Sequence, residues 1–206
     1  MKMKKIVQTL FLLSVILVIA SCSSAKPVTD SNVIQVANLS SEQQDIMNLL
    51  SIPNSQEVLI FDFRTTEAFS GVEFWVEVYQ NGELIDRPAG LHMRLDTADK
   101  QNGRLAVIIN QNDNKYQWTL TTVENGSRAS HVGTSVSTVD SGLGRAYGPM
   151  NDPASIEDGK EIIIYASTFQ AANIPHHAYD AQTLQERPEL LNEYIHAHII
   201  KCRFSK

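Results

Sequence analysis

The chain has 206 residues and a hydrophobic fraction of 43%, which suits one well-cored domain better than two. Its formal net charge of −6 repels phosphate backbones, so nucleic acid is excluded as a natural partner. Because the chain has two cysteines, it cannot build the disulfide framework that holds many small secreted domains together.

The first residues follow the order of features that is typical of a secretory signal sequence. Lys2, Lys4 and Lys5 give a positively charged start. The apolar run from Ile6 to Ala20 that follows is too short, and too polar at its beginning, to span a membrane. We therefore expect residues 1–21 to be cleaved from the mature protein.

The end of this leader carries a lipid-attachment motif. The residues Ile19, Ala20, Ser21 and Cys22 resemble the lipobox of bacterial lipoproteins, a branched aliphatic residue and two small residues before a cysteine. The resemblance implies that the Cys22 thiol is fatty-acylated and that Cys22 becomes the first residue. It also implies an extracytoplasmic protein anchored in a lipid bilayer, and Ser23 favours the outer membrane where the organism has one.

The remainder divides into a linker and one domain. Residues 22–38 are small and polar and predict a flexible tether, and residues 39–206 predict a single extracytoplasmic β-rich domain. Ser41 precedes an apolar set with helical spacing, and Gln44 is placed to complete a capping box. A short helix is therefore expected from Ser41 to Leu50.

After Pro53 the pattern changes to short strands separated by Gly, Asn, Asp and Pro. A short helix is expected again between Asp180 and Tyr194, with Pro188 suited to a first helical position. The pattern predicts a mainly β fold, an antiparallel β-sandwich or a β-rich α+β domain, with one short helix near the N-terminus and another before the last strand. The predicted strands are Val58 to Phe63, Val72 to Gln80, Arg104 to Asn110, Lys115 to Val123, Glu161 to Ser167 and Tyr194 to Phe204.

Two Asn-Gly pairs predict hairpin registers, because these residues tolerate the positive φ angles of a type I′ turn. Asn81-Gly82 would pair Val78 with Ile85 and Tyr79 with Leu84. Asn125-Gly126 would pair Leu120 with His131 and Trp118 with Gly133. The inward faces would then be Val72, Phe74, Val76 and Val78 on one strand and Tyr116, Trp118 and Leu120 on the other.

Between Ser137 and Gly159 the chain has no clear periodicity and many glycines, which predicts a long irregular loop. Arg145 lies within it and is a candidate for binding an acidic ligand.

Four histidines near the C-terminus are candidate metal ligands. His196 and His198 are two residues apart on a predicted strand, so their rings share one face, and His176 and His177 precede the short helix. Together they could hold a divalent metal ion, which would serve as cofactor. The alternative is that His196 and His198 are inert residues of a mixed sheet face.

Trp75 and Tyr79 alternate with Glu73 and Glu77 on one strand, so all four share a face. If this face meets solvent, it offers an aromatic and acidic platform for stacking a sugar ring. The alternative is that a helix or loop covers these aromatic residues.

No standard catalytic signature occurs in the chain, and Cys202 is expected to be a buried apolar residue rather than a nucleophile. We therefore predict a non-catalytic binding, sensing or envelope-accessory module, whose partner is a glycan or an envelope protein. The alternative is a metal-binding protein or metal-assisted hydrolase that uses the C-terminal histidines. The globular part is loosely similar to β-rich bacterial lipoproteins, without a motif that implies a function.

Overall fold

Strands account for most of the computed structural model, which describes residues 31–49, 56–95, 100–112, 115–124, 126–136, 142–174 and 177–206. Its helices are α1 (Ser41–Leu49), α2 (Ala181–Glu186) and a 3-10 helix (Pro188–Glu193). Its strands are β1 (Val33–Val36), β2 (Gln56–Thr65), β3 (Gly71–Gln80), β4 (Glu83–Asp86), β5 (Gly90–Arg94), β6 (Gln101–Asn112), β7 (Lys115–Glu124), β8 (Ser127–Val136), β9 (Leu143–Pro149), β10 (Ala154–Ser155), β11 (Glu161–Ala171) and β12 (His196–Ser205).

The strands form two antiparallel sheets that pack face to face as a sandwich, as the strand pattern predicted. The first sheet has the order β10-β1-β2-β6-β7-β8. The second has the order β4-β3-β12-β11-β9, and β5 also pairs with β3. Residues 31–206 belong to one compact unit.

The core lies between the sheets and is formed by alternate residues of the long strands. The predicted inward residues of β3 and β7, from Val72 to Val78 and from Tyr116 to Leu120, are all buried. On β12, the Phe204 ring packs edge-to-face against Phe63 of the first sheet and Phe74 of the second, at 5.3 and 6.5 Å between ring centroids. Such contacts add to the hydrophobic free energy and fix the relative position of the two sheets.

Both predicted strand pairs form. The φ angles of Asn81 and Gly82 are 49° and 81°, as a type I′ turn requires, and Tyr79 pairs with Leu84 as predicted. The predicted pairing of Val78 with Ile85 is wrong, because the register shifts between Val78 and Tyr79 and places Asp86 opposite Val78.

The second hairpin has the predicted register, with Leu120 opposite His131 and Trp118 opposite Gly133. The structure gives a reason for glycine at position 133. A Cβ atom there would lie 1.9 Å from the carbonyl oxygen of Pro88, in the chain that leads into β5. A glycine is therefore required at this position of β8, because the chain that leads into β5 packs directly against it.

Ordered structure begins earlier than predicted. β1 (Val33–Val36) pairs with β2 and β10, although residues up to 38 were assigned to the tether. The predicted helix near Ser41 is confirmed, but its capping box lies one residue earlier than expected. The Gln43 amide donates to Ser40 Oγ at 3.3 Å, and the Ser40 amide donates to Gln43 Oε1 at 3.0 Å.

The predicted irregular loop between Ser137 and Gly159 contains two strands, so that prediction was wrong in part. β9 pairs with β11 over seven residues, and β10 pairs with β1. Residues 137–141 of this stretch lie outside the described residues. Gly144, Gly148 and Pro149 within β9 hide its strand character from a pattern based on side-chain alternation.

The predicted short helix before the last strand is confirmed by α2 and the 3-10 helix. The Asp180 carboxylate caps α2 by accepting a hydrogen bond of 2.7 Å from the Thr183 amide, and Pro188 starts the 3-10 helix. α2 is fixed to β11 by a hydrogen bond of 2.7 Å from the Ile163 amide to Gln185 Oε1. Within the described ranges, no helix combines the length and hydrophobicity that crossing a membrane requires.

Candidate functional site

The outer face of the second sheet carries a fully buried carboxylate, Glu77 of β3. Its exposed fraction is 1%, and four side chains donate hydrogen bonds to its two oxygens. Trp75 Nε1 and Arg87 Nη2 reach Oε1 at 3.0 and 2.7 Å, and Tyr79 Oη and Lys201 Nζ reach Oε2 at 2.6 and 2.8 Å. We call these five residues the Glu77 cluster.

The Glu77 cluster is held together by charge. Burial by itself would raise the pKa of Glu77, but the hydrogen bonds from Lys201, Tyr79 and Trp75 outweigh it and lower the pKa to about 2. Burial and the neighbouring carboxylate raise the pKa of Tyr79 to about 12. Glu77 is therefore ionised at every physiological pH, and its bond to the indole nitrogen fixes the orientation of Trp75.

Trp75 lines a groove of about 370 Å³ between β3, β5 and the neighbouring strands β11 and β12. Its indole is partly exposed, and its direct neighbour across the β3–β5 pair is Gly90, which has no side chain to cover it. A ligand can therefore reach the indole from the β5 side. The charged side chains of Glu73, Arg87, Glu161 and Arg203 also line the groove.

Each of the four charged groups of this groove takes part in an ion pair. Arg203 Nε donates to Glu73 Oε2 at 3.2 Å, and its guanidinium carbon lies 5.7 Å from the centroid of the Trp75 ring. Lys201 Nζ contacts Glu77 and also lies 3.1 Å from Glu161 Oε2. Among the described residues that line the groove, two carboxylates are thus balanced by two guanidiniums, so the groove carries little net charge.

Tyr79, which was predicted to form the platform together with Trp75, has a different environment. It is half-buried, and its hydroxyl donates a hydrogen bond to Glu77. The structure brings Tyr79 and Trp75 to the same carboxylate, but Trp75 alone of the two lines the groove. Ligand binding by Tyr79 stays a prediction.

Arg145 lies at the end of the sandwich between the two sheets. Its Nε donates to Ser167 Oγ at 2.7 Å, its Nη2 donates to Tyr165 Oη at 2.9 Å, and its Nη1 pairs with the Glu57 carboxylate of the opposite sheet. The Tyr165 hydroxyl donates in turn to Glu57 at 2.8 Å. An acidic ligand at Arg145, which stays a prediction, would therefore have to take the place of Glu57.

The C-terminal histidines divide between core and surface. His196 and His198 share the inward face of β12 and are 4% and 1% exposed. Burial lowers the pKa of both imidazoles, and in His198 Arg145 adds to the effect and brings the pKa to about 3. His177 is exposed and stacks on Tyr179, with ring centroids 6.1 Å apart.

These positions bear on metal binding. The described part of the chain contains no group of three or more His, Cys, Asp or Glu side chains arranged to hold a metal ion. His176 lies outside it, so a site that combines all four predicted histidines stays a prediction. The predicted lipidation residue, Cys22, also lies outside the described residues.

Cys202 is fully buried on β12, and burial raises the pKa of its thiol. The protonated thiol is a poor nucleophile, and the prediction of a buried apolar role is consistent with this environment.

Several site residues were missed by the sequence pattern. Arg203 is 130 residues from its partner Glu73, Arg87 lies in the connection between β4 and β5, and no local motif marks either of them. Glu77 was predicted to share a strand face with Trp75 and Tyr79, but its role as the common hydrogen-bond partner of their polar atoms was not predicted.

Comparisons with known proteins identify a family. No curated protein and no solved structure matches the chain. The family model described as the YgaN domain matches residues 33–204, which begin in β1 and end in β12 and so include both sheets. The chain therefore belongs to the YgaN domain family.

Proposed function

We propose that this protein is a membrane-anchored, extracytoplasmic binding module that takes a neutral glycan in the Trp75 groove. The observation that carries the proposal is the environment of Trp75. Its indole is held at one edge by the buried Glu77, lines a groove of about 370 Å³ and has Gly90 as its direct neighbour on β5, while the Arg203 guanidinium carbon lies 5.7 Å from the centroid of the ring. A fixed and accessible indole is a suitable surface for the apolar face of a sugar ring.

The charges of the groove favour a neutral, hydroxyl-rich ligand over a polyanion. Glu73 and Glu161 can accept hydrogen bonds from sugar hydroxyls, and Arg87 and Arg203 can donate to hydroxyl and ring oxygens. Because the opposite charges balance, a charged ligand gains little net attraction. Binding should therefore depend only weakly on salt concentration.

The acid–base properties of Glu77, the buried carboxylate beside the groove, favour a structural role for it over a catalytic one. Glycoside hydrolysis needs a carboxylic acid whose pKa is raised so that it can protonate the leaving oxygen. The pKa of Glu77 is instead lowered to about 2, and this carboxylate is fully occupied by four donors. We assign Glu77 the role of positioning Trp75.

Substitution of Trp75 provides the test of glycan binding. The chain has two tryptophans, and Trp118 is fully buried, so a ligand-dependent change in tryptophan fluorescence reports mainly on Trp75. In titrations with neutral oligosaccharides and peptidoglycan fragments, we expect a saturable change in the wild type. Trp75→Ala should weaken binding, measured by calorimetry, by about tenfold because ring stacking is lost.

The matched control is Tyr147→Ala, which removes an exposed aromatic ring of β9 outside the groove and should leave the affinity unchanged. The glycan proposal fails if no oligosaccharide gives a saturable response, or if Trp75→Ala binds as tightly as the wild type.

Membrane attachment is tested at Cys22. We expect the wild type to carry a diacylglyceryl group, to partition into the detergent phase and to start at residue 22 in intact-mass measurements. Cys22→Ala removes the thiol that would carry the lipid and should therefore abolish acylation. Partitioning should be lost as well, because two or three acyl chains are needed for stable anchoring. Cys202→Ala, which alters a buried thiol, is the control and should stay acylated. An unacylated wild-type protein that keeps its leader would contradict this part of the proposal.

A further inference from the structure

Polar side chains are concentrated between the sheets at the end of the sandwich where β7, β9 and β12 meet. We define Tyr116, Trp118, Arg145 and His198 as the inter-sheet polar cluster. The centroid of the His198 ring lies 4.5 Å from that of Tyr116 and 5.3 Å from that of Trp118. The Arg145 guanidinium carbon lies 6.0 Å from the Tyr116 ring centroid. These four side chains come from three strands, so the fold assembles them.

Three polar atoms of this cluster are buried without being satisfied. Tyr116 Oη, Trp118 Nε1 and His198 Nε2 have no hydrogen-bond partner among the residues that the structure describes, and the three side chains are at most 1% exposed. Buried polar groups in folded proteins nearly always have a partner, and an unpaired one destabilises the fold. Three such atoms in rings that touch one another indicate that a polar molecule belongs beside them.

The neighbouring residues connect the cluster to solvent. Arg145 and Glu57 have side chains that are 19% and 20% exposed, and Tyr147, whose ring lies 4.3 Å from the Arg145 guanidinium carbon, is 61% exposed. Glu57 is the second residue of β2, so its side chain can leave Arg145 without disturbing the middle of the strand. Its departure would free both Arg145 Nη1 and the Tyr165 hydroxyl.

The chemistry of these groups selects the ligand. Arg145 and the Trp118 indole nitrogen can only donate hydrogen bonds, and the Tyr116 and Tyr165 hydroxyls can donate as well. A molecule that satisfies them must carry acceptor oxygens, and a guanidinium binds carboxylate with matching geometry. One oxygen of the Glu57 carboxylate already pairs with Arg145 Nη1 and the other accepts from the Tyr165 hydroxyl, which shows that the position accepts a carboxylate.

We propose that the inter-sheet polar cluster is a binding site for a small carboxylate, which replaces Glu57 on Arg145 and brings its remaining oxygen atoms to Tyr116 and Trp118. Glu57 acts as an internal competitor that holds the site closed when no ligand is present. This site is separate from the Trp75 groove, which lies on the outer face of the second sheet.

The test uses the Trp118 indole N–H as reporter in the full-length protein. In a Trp75→Phe background, Trp118 is the remaining tryptophan and gives the sole indole signal in a ¹H–¹⁵N spectrum. We expect acetate, pyruvate and succinate to shift this signal saturably, and sodium chloride at equal ionic strength to leave it unchanged. The position of the signal along each titration gives the affinity.

Two substitutions should change that affinity in opposite directions. Glu57→Gln removes the internal competitor and should tighten carboxylate binding by about tenfold, whereas Arg145→Gln should abolish it. Tyr116→Phe keeps the ring and removes one donor, and it should weaken binding roughly fivefold. Circular dichroism shows whether each variant is folded. If Arg145→Gln does not fold, the weaker binding expected of Tyr116→Phe tests the proposal in its place.

The control is Arg128→Gln, which removes an exposed guanidinium from β8 and should leave carboxylate affinity unchanged. The proposal is overturned if none of the three probes shifts the Trp118 signal, or if Glu57→Gln fails to tighten binding. A shift that chloride reproduces also overturns it, because the effect would then come from ionic strength and not from the carboxylate group.

Discussion

Replacement of Glu77 by glutamine is expected to lower the free energy of unfolding by about 3 kcal/mol at neutral pH. Glu77 is buried with four donors around it, two of them cationic, and glutamine keeps the shape while removing the charge. The folded-state pKa of about 2 lies below the ordinary value of 4.5, so the stabilisation is fully present above about pH 4.5 and is lost as the pH falls toward 2. Urea unfolding at several pH values measures both effects.

Glu73→Gln is the matched control for this prediction. Glu73 lies four residues earlier on the same strand face and pairs with Arg203, but its side chain is 37% exposed. An exposed ion pair contributes less than about 1 kcal/mol, so this variant should be close to the wild type. Equal losses in the two variants would show that burial of Glu77 has no special importance.

The second large effect is a loss of stability in mild acid that originates in the core. His198 is faced by Tyr116, Trp118, Phe169 and Arg145, and burial beside this guanidinium lowers the pKa of His198 to about 3. Below about pH 6.5, His198 is therefore protonated in the unfolded chain but stays neutral in the folded chain. The free energy of unfolding falls as the pH is lowered. We expect His198 alone to remove about 2 kcal/mol between about pH 7.5 and about pH 5.

Substitution of His198 by phenylalanine should flatten this pH dependence. Phenylalanine does not titrate and suits an aromatic surrounding, so the variant should lose about 2 kcal/mol less than the wild type over the same interval, as measured by urea unfolding. His196, whose pKa is also lowered, continues to contribute in the same direction. His131→Gln, an exposed position on β8, is the control and should retain the wild-type profile. An unchanged slope in His198→Phe would contradict the assignment.

Much of the fold was predictable because local physics and tertiary structure agree. Alternating β-branched and aromatic residues mark β3 and β7, and the Asn-Gly turns set their hairpins, because few other residues tolerate positive φ. Asp180 and Pro188 likewise mark the starts of the two helical segments before β12. At each of these positions, the local conformation is determined by residues that are close together in the sequence.

The parts that were missed depend on distant residues. β9 contains glycines and a proline and forms a strand because β11 offers it a paired edge, which no local pattern reveals. The candidate sites show the same dependence, since Arg203 and Glu73 are 130 residues apart and Arg145 and Glu57 are 88 residues apart. Ion pairs of this kind are set by sheet order, so sequence reasoning could find Trp75 but not the groups that fix its surroundings.

The complete burial of Cys202 has a consequence for the survival of the protein in the extracytoplasmic location that we propose. That compartment is oxidising, and an accessible lone thiol would form disulfide-linked dimers or be converted stepwise to oxygenated sulfur acids. Because the thiol lies in the central strand pair β11–β12, oxidants reach it when this pair opens. Resistance to oxidative damage is thereby tied to folding itself, and every substitution that loosens the sandwich also shortens the chemical lifetime of the chain.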